Sequence, residues 1–494
     1  MARAARKPAA TTSPAVAALL GGRDLLLTLP SGGTPSWLGS AAEQARRPCL
    51  LVVPSEFVVE REARLATRIA TLRIDGSLRP AEREQALERL RARGALVVLS
   101  DPEALQAQEV RDALMRVRVA LVVVEQAQRA SSSSPDFDPA FAVLAAALAR
   151  FTAAPRAVVL SASTAIVRRD VERAFSLRAA LPLAASACPE SVTLQTVRAS
   201  PGDASFVDLV SRLPRPGVVF CATPQDADAA YAALRARRVP VHRYHAAMSA
   251  GERGGELIQF TLPGRRAVLV ATSAFAPAPP GASEALRGFG LGFEDRELYF
   301  VAHWQAPASL EQYAREVGLA ARARAATCVL AYDPGARRLL ETQLASASPI
   351  ADHLRACATA LAVQSAAGYT TLERLALDAG IGRRGLELAV NLMSRAGLVK
   401  HASGWVRPRL AGPALAERAA ELAASLDQAR LGGASRLDTV EAYATSTGCL
   451  EAFLADYFGL DGAAHCGRCS GCVPPRSRRG SGRRSTVRVS ARAS

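Results

Sequence analysis

Four cysteines near the carboxyl end of the chain have the spacing of a metal site. Cys466, Cys469 and Cys472 form two overlapping C-x2-C pairs, and Cys449 lies 17 residues before them at the start of an apolar, helix-like stretch. Four thiolates complete the tetrahedral shell that Zn²⁺ prefers and leave no open coordination position, so we predict a structural Zn²⁺ site. His465 is a competing ligand, although four sulfurs already fill the shell, and the alternative is four free thiols.

A second stretch whose residues could take part in chemistry runs from Leu25 to Ser36. Its sequence, LLLTLPSGGTPS, reads as a strand that enters a glycine-containing loop of the kind that binds nucleotide phosphates. Such a loop needs a lysine after the glycines to reach the β- and γ-phosphates, and Pro35 occupies that position. Proline is tolerated at the first position of a helix, so we predict that the loop keeps its fold and loses its phosphate charge.

Composition and charge limit the classes of protein to which this chain can belong. The 494 residues are 49% hydrophobic and 21% charged, which predicts three or four globular domains. The net charge of +16 is carried almost wholly by arginine, which suits contact with DNA phosphates, although a GC-rich genome also enriches arginine. No apolar run reaches the roughly 18 residues that span a bilayer, and none forms a signal peptide. We therefore expect a soluble, cytoplasmic, nucleoid-associated protein of bacterial type, with reduced cysteines and no membrane partner.

The segments that would position these residues read as two α/β lobes followed by a smaller module. Continuous apolar runs separated by helix-length segments predict parallel sheets in both lobes. Residues 369–408 predict two short helices, joined by a glycine turn, and then a small hairpin. That order is typical of a winged helix, which binds DNA in some proteins and other proteins elsewhere. The candidate DNA-binding residues here are Arg383, Arg384, Lys400, Trp405 and Arg407.

These motifs and their order resemble the RecQ family of ATP-dependent DNA helicases from about residue 13 to residue 475. The zinc segment carries the family's aromatic pair, Tyr457 and Phe458, followed by Gly459. The other motifs, in chain order, are GRDLLLTLPSGG (22–33), LVVP (51–54), VVLSDPEAL (97–105), VVVEQAQRAS (122–131), LSAST (160–164), GVVFCAT (217–223), YHAAM (244–248), VLVATSAFA (268–276), GFGLGFEDRELYFVAH (288–303) and EQYAREVGLAARA (311–323). The winged helix precedes the zinc cysteines, which departs from the best-known arrangement in the family.

The resemblance implies roles for several residues and shows that some have changed. Glu125 stands where the family has its Mg²⁺-organising aspartate, Gln126 where it has the water-activating glutamate, and Gln128 where it has a histidine. Arg322 keeps one arginine of the finger motif. We predict that ATP hydrolysis is lost or very weak, so ATP and Mg²⁺ are family cofactors that this chain no longer uses productively. The corresponding nucleotide-binding positions are Gly32, Gly33, Thr34, Pro35 and Ser36.

The family's aromatic-rich loop, which couples DNA to ATP, matches the segment after the acidic box. Phe137 is retained, whereas Ser133 stands for a tryptophan and Asp138 for an arginine. Without that stacking group and that cation, contact with single-stranded bases should weaken. Phe137 is therefore either a base contact or a core aromatic that anchors the loop.

The predicted fold is α/β, with two RecA-like helicase lobes, a winged helix and a zinc-binding module with four cysteine ligands. We predict a DNA-binding scaffold in DNA repair or recombination, whose partner is single-stranded, junction or duplex DNA and whose protein partners are unknown. The alternatives are an active ATP-dependent 3′-5′ DNA helicase and a winged-helix regulator. The predicted domains are a basic segment (1–12), lobe 1 (13–182), lobe 2 (183–335), a linker helix with the winged helix (336–412), the zinc module (413–475) and an arginine-rich disordered tail (476–494).

Overall fold

The computed structural model describes most of the chain, and its described part contains two parallel sheets and a small antiparallel one. The predicted α/β fold class is confirmed, whereas the six domain limits stay predictions. The described residues are 14–29, 37–66, 69–92, 97–151, 154–184, 188–262, 264–272, 297–321, 323–338, 341, 350–363, 368–402, 404–410, 412–462 and 465–473. The predicted basic segment (1–12) and the predicted tail (476–494) lie outside them.

The first sheet has seven parallel strands in the order β3-β4-β2-β5-β6-β1-β7. The strands are β1 (Leu25–Thr28), β2 (Cys49–Val52), β3 (Thr71–Ile74), β4 (Val97–Ser100), β5 (Val122–Val124), β6 (Arg156–Leu160) and β7 (Leu181–Ala184). The central strands are buried on both faces, which explains their continuous apolar sequences. The helices of this lobe are α1 (Pro14–Leu20), α2 (Leu38–Ala45), α3 (Val58–Ala66), α4 (Pro80–Arg91), α5 (Gln108–Arg116), α6 (Pro139–Leu148) and α7 (Ala165–Ala174).

The second sheet has six parallel strands in the order β10-β11-β9-β12-β13-β8. Its strands are β8 (Val192–Arg198), β9 (Gly217–Cys221), β10 (Val241–Tyr244), β11 (Val268–Thr272), β12 (Phe300–His303) and β13 (Ala326–Tyr332). The helices beside it are α8 (Ala204–Arg212), α9 (Pro224–Ala236), α10 (Ala250–Thr261) and α11 (Leu310–Gly318). Among the described strands, β8 pairs with β13 alone, so it is an edge strand whose other side faces away from the sheet.

The two helices and the hairpin predicted for residues 369–408 are present in that order, and a further helix and a short strand accompany them; that they form a winged helix stays a prediction, and the name is used below for these elements. They are α12 (Ile350–Val363), β14 (Thr370–Thr371), α13 (Leu372–Ala379), α14 (Arg383–Arg395), β15 (Val399–Ala402) and β16 (Trp405–Pro408). Gly380 ends α13 in the left-handed conformation, with a φ of 66°, and so makes the turn between the two helices. The three strands form an antiparallel sheet in the order β14-β16-β15.

A long helix, α15 (Gly412–Ala444), leads from the winged helix to the last helix, α16 (Leu450–Phe458). Its first part packs in the winged-helix core through Leu415 and Ala419. Its last part joins the core of lobe 2, where the hydroxyls of Tyr443 and Tyr313 lie 3.3 Å apart. Among the described helices, none is both long and apolar enough to cross a membrane.

Close packing between two neighbouring strands of lobe 2 yields a stability prediction. Gly217 in β9 is in register with Phe300 in β12, and a Cβ atom at Gly217 would lie 2.1 Å from the Phe300 ring. We expect Gly217→Ala to lower the free energy of unfolding by about 1–3 kcal/mol, because the buried ring must shift. Urea denaturation measures the change, and Phe300→Leu in the same chain should recover part of it.

The control is Gly255→Ala in the exposed part of α10, where a Cβ atom would meet nothing within 4 Å. Because alanine is a better helix former than glycine, this variant should be about 0.5–1 kcal/mol more stable than the parent. Equal effects of the two substitutions would contradict the packing argument.

Candidate functional site

The four predicted cysteines come together in one cluster. Cys449 immediately precedes α16, and its Sγ atom lies within 4.8 Å of the Sγ atoms of Cys466, Cys469 and Cys472. The Sγ atoms of Cys466 and Cys472 are 3.8 Å apart. A tetrahedron with metal–sulfur distances of about 2.3 Å has edges of about 3.8 Å, so the Cys466–Cys472 distance matches a tetrahedral metal site and the whole cluster is close enough to hold one ion. With four sulfurs the shell is closed, and a metal here would act structurally.

Backbone amides favour the thiolate form that a metal requires. The N–H of Leu450 donates to Cys469 Sγ at 3.3 Å, and the N–H of Cys466 donates to Cys449 Sγ at 3.3 Å. Burial raises the pKa of Cys469, but hydrogen bonds to its sulfur, led by that from Leu450, more than compensate and lower that pKa to about 7. The loop is shaped by close backbone approach as well, because a Cβ atom at Gly471 would lie 1.8 Å from the Gly448 carbonyl oxygen.

The cysteine-bearing loop covers the outer side of β8 in the lobe 2 sheet. The N–H of Ser470 donates to the Leu194 carbonyl at 3.0 Å, and the Ser470 Oγ accepts from the Thr196 N–H at 3.2 Å. Arg468 donates from Nε to the Val192 carbonyl at 3.1 Å. These bonds satisfy backbone groups of β8 that would otherwise form an exposed strand edge. The metal cluster thus forms one body with lobe 2.

The acidic box lies at the carboxyl end of β5, where parallel α/β sheets hold their functional side chains. Arg61 from α3 donates from Nε to Glu125 Oε2 at 3.1 Å. Both side chains are buried, with exposures of 3% for Arg61 and 0% for Glu125. A fixed guanidinium therefore compensates the carboxylate at the position where the resemblance implies an organiser of Mg²⁺. A dication beside it would be repelled by Arg61, so Mg²⁺ does not fit this arrangement.

The next residues of the box form a chain of neutral amides. Gln128 Nε2 donates to Gln126 Oε1 at 2.6 Å, and Gln128 Oε1 accepts the N–H of Ser161 at 3.2 Å. Gln126 has a left-handed backbone, with a φ of 54°. A carboxamide cannot accept a proton as a carboxylate does, so Gln126 cannot act as a general base towards water.

Several predicted residues lie where the structure gives no account of them. Arg322 falls outside the described residues, and the side chain of Arg384 does too, although its backbone belongs to α14. The roles predicted for these residues stay predictions. The same holds for the five positions of the phosphate loop, which are Gly32, Gly33, Thr34, Pro35 and Ser36.

The outer face of the winged helix presents aromatic and cationic side chains. Trp405 is 48% exposed, and Lys400 lies opposite Arg407 in the hairpin. The Arg407 guanidinium stacks 5.5 Å from the centre of the Tyr369 ring, which is itself 54% exposed. Arg383 begins α14 with its side chain 82% exposed. Tyr369 was missed by the sequence analysis because it precedes β14 and belongs to no motif there.

Phe137, the remaining predicted DNA-binding residue, faces inward. Its ring is partly buried and packs against the winged-helix core. This placement agrees with the anchoring role that the sequence left open for it. A role in stacking on DNA bases stays a prediction.

Comparisons with known proteins find similarity to proteins named as DNA helicases, and no family model matches the chain. It is 24% identical over 356 residues to the Probable ATP-dependent DNA helicase RecS of Bacillus subtilis, a match that covers 69% of this chain and 68% of that protein. It is 27% identical over 237 residues to the ATP-dependent DNA helicase RecQ of the same organism, a match that covers 47% of this chain and 37% of that protein. The chain is thus similar to DNA helicases of the RecQ type. The resemblance stated from the motifs is thereby confirmed.

The fraction of each relative that the match covers differs from one relative to the next. A 24% identical stretch of 343 residues in the ATP-dependent DNA helicase Q5 of Rattus norvegicus covers 63% of this RecQ-like chain but 33% of that protein. Among solved structures, the DUF1998 helicase MrfA bound to DNA has a TM-score of 0.48 and 12% identity, with 80% of this chain and 56% of that chain covered.

The cysteine cluster gives a prediction about metal. If the cluster holds a metal ion, we expect Cys469→Ser to lose one equivalent of it and to lower the unfolding midpoint by at least about 5 °C, because the free energy of metal binding contributes to folding. Gly471→Ala should act in the same direction, since its methyl group would meet the Gly448 carbonyl. Metal analysis of purified protein and thermal denaturation measure both effects.

His465→Ala is the matched control, because His465 is exposed and outside the sulfur cluster. This variant should keep its metal and its stability. Protein purified without metal, or a Cys469→Ser variant of unchanged stability, would contradict the structural role.

Proposed function

We propose that this RecQ-like protein binds DNA as a scaffold in DNA repair or recombination and does not hydrolyse ATP productively. The observation that carries the second half of this proposal is the buried pair of Arg61 and Glu125. We also propose that the metal of the cysteine cluster is Zn²⁺ and that its role is structural.

Phosphoryl transfer depends on positioned charge, which explains why the Arg61–Glu125 pair matters. The enzyme must hold Mg²⁺ and aim cations at the transferring phosphate, since little covalent chemistry is left for the protein to do. In this chain the carboxylate of Glu125 is already compensated by Arg61, and the next position is the amide of Gln126. The site therefore has neither a free carboxylate to hold Mg²⁺ nor a carboxylate to act as the general base. Each of these losses alone would slow hydrolysis strongly.

DNA binding is supported by the surface chemistry of the C-terminal half. Trp405 and the stacked pair of Tyr369 and Arg407 are exposed together with Lys400 on the winged helix. Aromatic rings beside cations suit contact with bases and phosphates, including the unpaired bases at a junction. Residues 476–494 add seven arginines and no acidic residue, which supports further phosphate contact. The net charge of +16 on the whole chain is likewise positive, which favours contact with the negatively charged phosphates of DNA.

The relatives are named as ATP-dependent DNA helicases, so an active helicase is the competing function. We expect no DNA-stimulated ATP hydrolysis above the background of a protein-free reaction. Pro35→Lys alone, and Pro35→Lys with Gln126→Glu, should remain inactive because Arg61 still compensates Glu125. Steady-state phosphate release with and without single-stranded DNA measures this, and turnover of about 1 to 10³ s⁻¹ would establish the helicase instead.

The DNA-binding half of the proposal makes a prediction about salt. Phosphate contacts make log K fall linearly with log salt, with a slope of about 0.9 per phosphate neutralised on duplex DNA. Removing residues 476–494 should reduce that slope by up to about 6, because seven arginines are lost. Fluorescence anisotropy with a short labelled duplex at several salt concentrations measures the slope.

Changing Arg383 and Arg384 to alanine should lower affinity for duplex or junction DNA in particular. The matched control is Arg418→Ala, which removes an exposed arginine that pairs with Glu421 on α15. Tight binding to one short sequence, with little dependence on salt or on the tail, would favour a winged-helix regulator.

A further inference from the structure

A crevice lies where the chain of lobe 2 changes direction in its sheet. Strands β9 and β12 are parallel neighbours, but the chain continues from β9 towards β10 on one side and from β12 towards β13 on the other. The two connections therefore leave the carboxyl ends of these strands in opposite directions. Open α/β sheets bind small ligands at such a point, because loops from both sides can surround the ligand there.

The crevice has a volume of about 70 Å³ and is lined by residues of both strands and of the helix α11. Phe220 and Cys221 end β9, His303 ends β12, and Gln305 follows His303. Glu316 reaches the crevice from α11. Because a single water molecule needs roughly 10–15 Å³, the crevice has room for a small molecule.

Two buried acceptor atoms in this lining have no hydrogen-bond partner within the described part of the chain. His303 is 1% exposed, and its Nε2 lies 2.7 Å from Glu316 Oε2. Nε2 donates to that carboxylate, so the neutral ring presents Nδ1 as an acceptor. Gln305 is 6% exposed, and its Nε2 donates to Asp226 Oδ2 at 2.7 Å.

The atoms that remain are His303 Nδ1 and Gln305 Oε1, and neither meets a donor among the residues that the structure describes. The two residues are two positions apart in the chain, and both line the crevice. A buried acceptor without a donor costs free energy, so these atoms favour a ligand that brings N–H groups.

The charge around the crevice is negative. Glu316 accepts from the neutral amide of Gln312, whose Nε2 lies 3.0 Å from Glu316 Oε1. Arg315, the neighbour of Glu316 in the chain, is itself paired with Asp136. Burial raises the pKa of Cys221 well above its usual value, and the carboxylates of Asp226 and Glu316 raise it further. Such surroundings attract a cation and repel a phosphate or a carboxylate.

We propose that the crevice between β9 and β12 binds a small organic cation of the guanidinium class. A guanidinium carries several N–H donors in one plane, and His303 Nδ1 and Gln305 Oε1 accept two of them. Its charge is compensated by Glu316 and Asp226. The proposal concerns lobe 2 alone, so it stands or falls independently of the proposed DNA binding and of the nucleotide site in lobe 1.

Saturation-transfer NMR on the full chain tests the proposal with methylguanidinium as the probe, at about pH 8 to favour the neutral imidazole. The probe is titrated to about 20 mM only, because denaturation by guanidinium takes molar concentrations. We expect saturable binding with a Kd of about 1 mM or tighter.

Two further probes separate charge from hydrogen bonding. Methylurea has a similar shape and similar donors without the charge, and tetramethylammonium has the charge without donors. Each should bind at least about tenfold more weakly than methylguanidinium, since the strongest contacts combine charge with an N–H donor. Tetramethylammonium binding as tight as that of methylguanidinium would reveal unspecific attraction and overturn the proposal.

Glu316→Gln removes a carboxylate from the crevice and keeps the shape of the side chain. It should weaken methylguanidinium binding at least about tenfold and leave methylurea binding within about twofold, a difference that a general loss of structure would not produce. The matched control is Glu256→Gln, which alters a second His–Glu pair of lobe 2. There His242 Nδ1 lies 2.6 Å from Glu256 Oε2, outside the crevice, so this variant should keep the parent affinity.

Ala308→Leu is a second variant that leaves every polar group in place. Ala308 lines the crevice and is half-buried, so a leucine there fills the space and should abolish saturable binding of methylguanidinium. Circular dichroism establishes that each variant is folded. A parent protein without saturable binding, or a folded Glu316→Gln or Ala308→Leu variant with the parent affinity, overturns the proposal.

Discussion

A carboxyl group that is removed from water needs a cation, hydrogen bonds or a proton to compensate its charge, and at the centre of lobe 1 a cation does so. Glu125 is buried at the end of a central strand, and Arg61 provides the cation from the neighbouring helix α3. Removing one member of such a pair costs about 3–5 kcal/mol, because the other is left uncompensated. The fold therefore depends on both members of the pair, and Arg61 occupies the position beside Glu125 that a metal ion would otherwise share.

Arginine side chains also make contacts between the larger parts of the molecule. Arg168 of lobe 1 donates to the carbonyls of Phe458 and Gly459 at the end of α16, where the helix dipole favours a cation. Arg337 bridges Asp438 and Glu441 of α15. The planar guanidinium can bond several acceptors at once, which lysine cannot do with comparable geometry. A chain with so few lysines thus assembles its parts with the residue that also suits DNA.

Local features were predictable from the sequence, whereas contacts between distant segments were not. Cysteine spacing predicted the metal cluster, apolar runs predicted the parallel strands, and the glycine turn at Gly380 predicted the two helices around it. Arg61 and Glu125 are 64 residues apart, and Arg395 and Asp138 are 257 apart. No periodicity or motif connects residues at such separations, because tertiary packing alone brings them together. The excess of arginine was therefore interpreted as DNA contact, although part of it holds the protein together.

The cysteine-bearing loop has a consequence for the solution behaviour of lobe 2. Ser470 and Arg468 occupy the hydrogen-bonding groups of β8 only while the loop keeps its shape, and the sulfur cluster fixes that shape. Without the metal, β8 would present a row of unpaired amides and carbonyls to any extended chain nearby. Chelation would then expose a strand edge that favours self-association through strand pairing. A metal bound by the four cysteines would thus protect lobe 2 from aggregation as well as stabilise the fold of the loop.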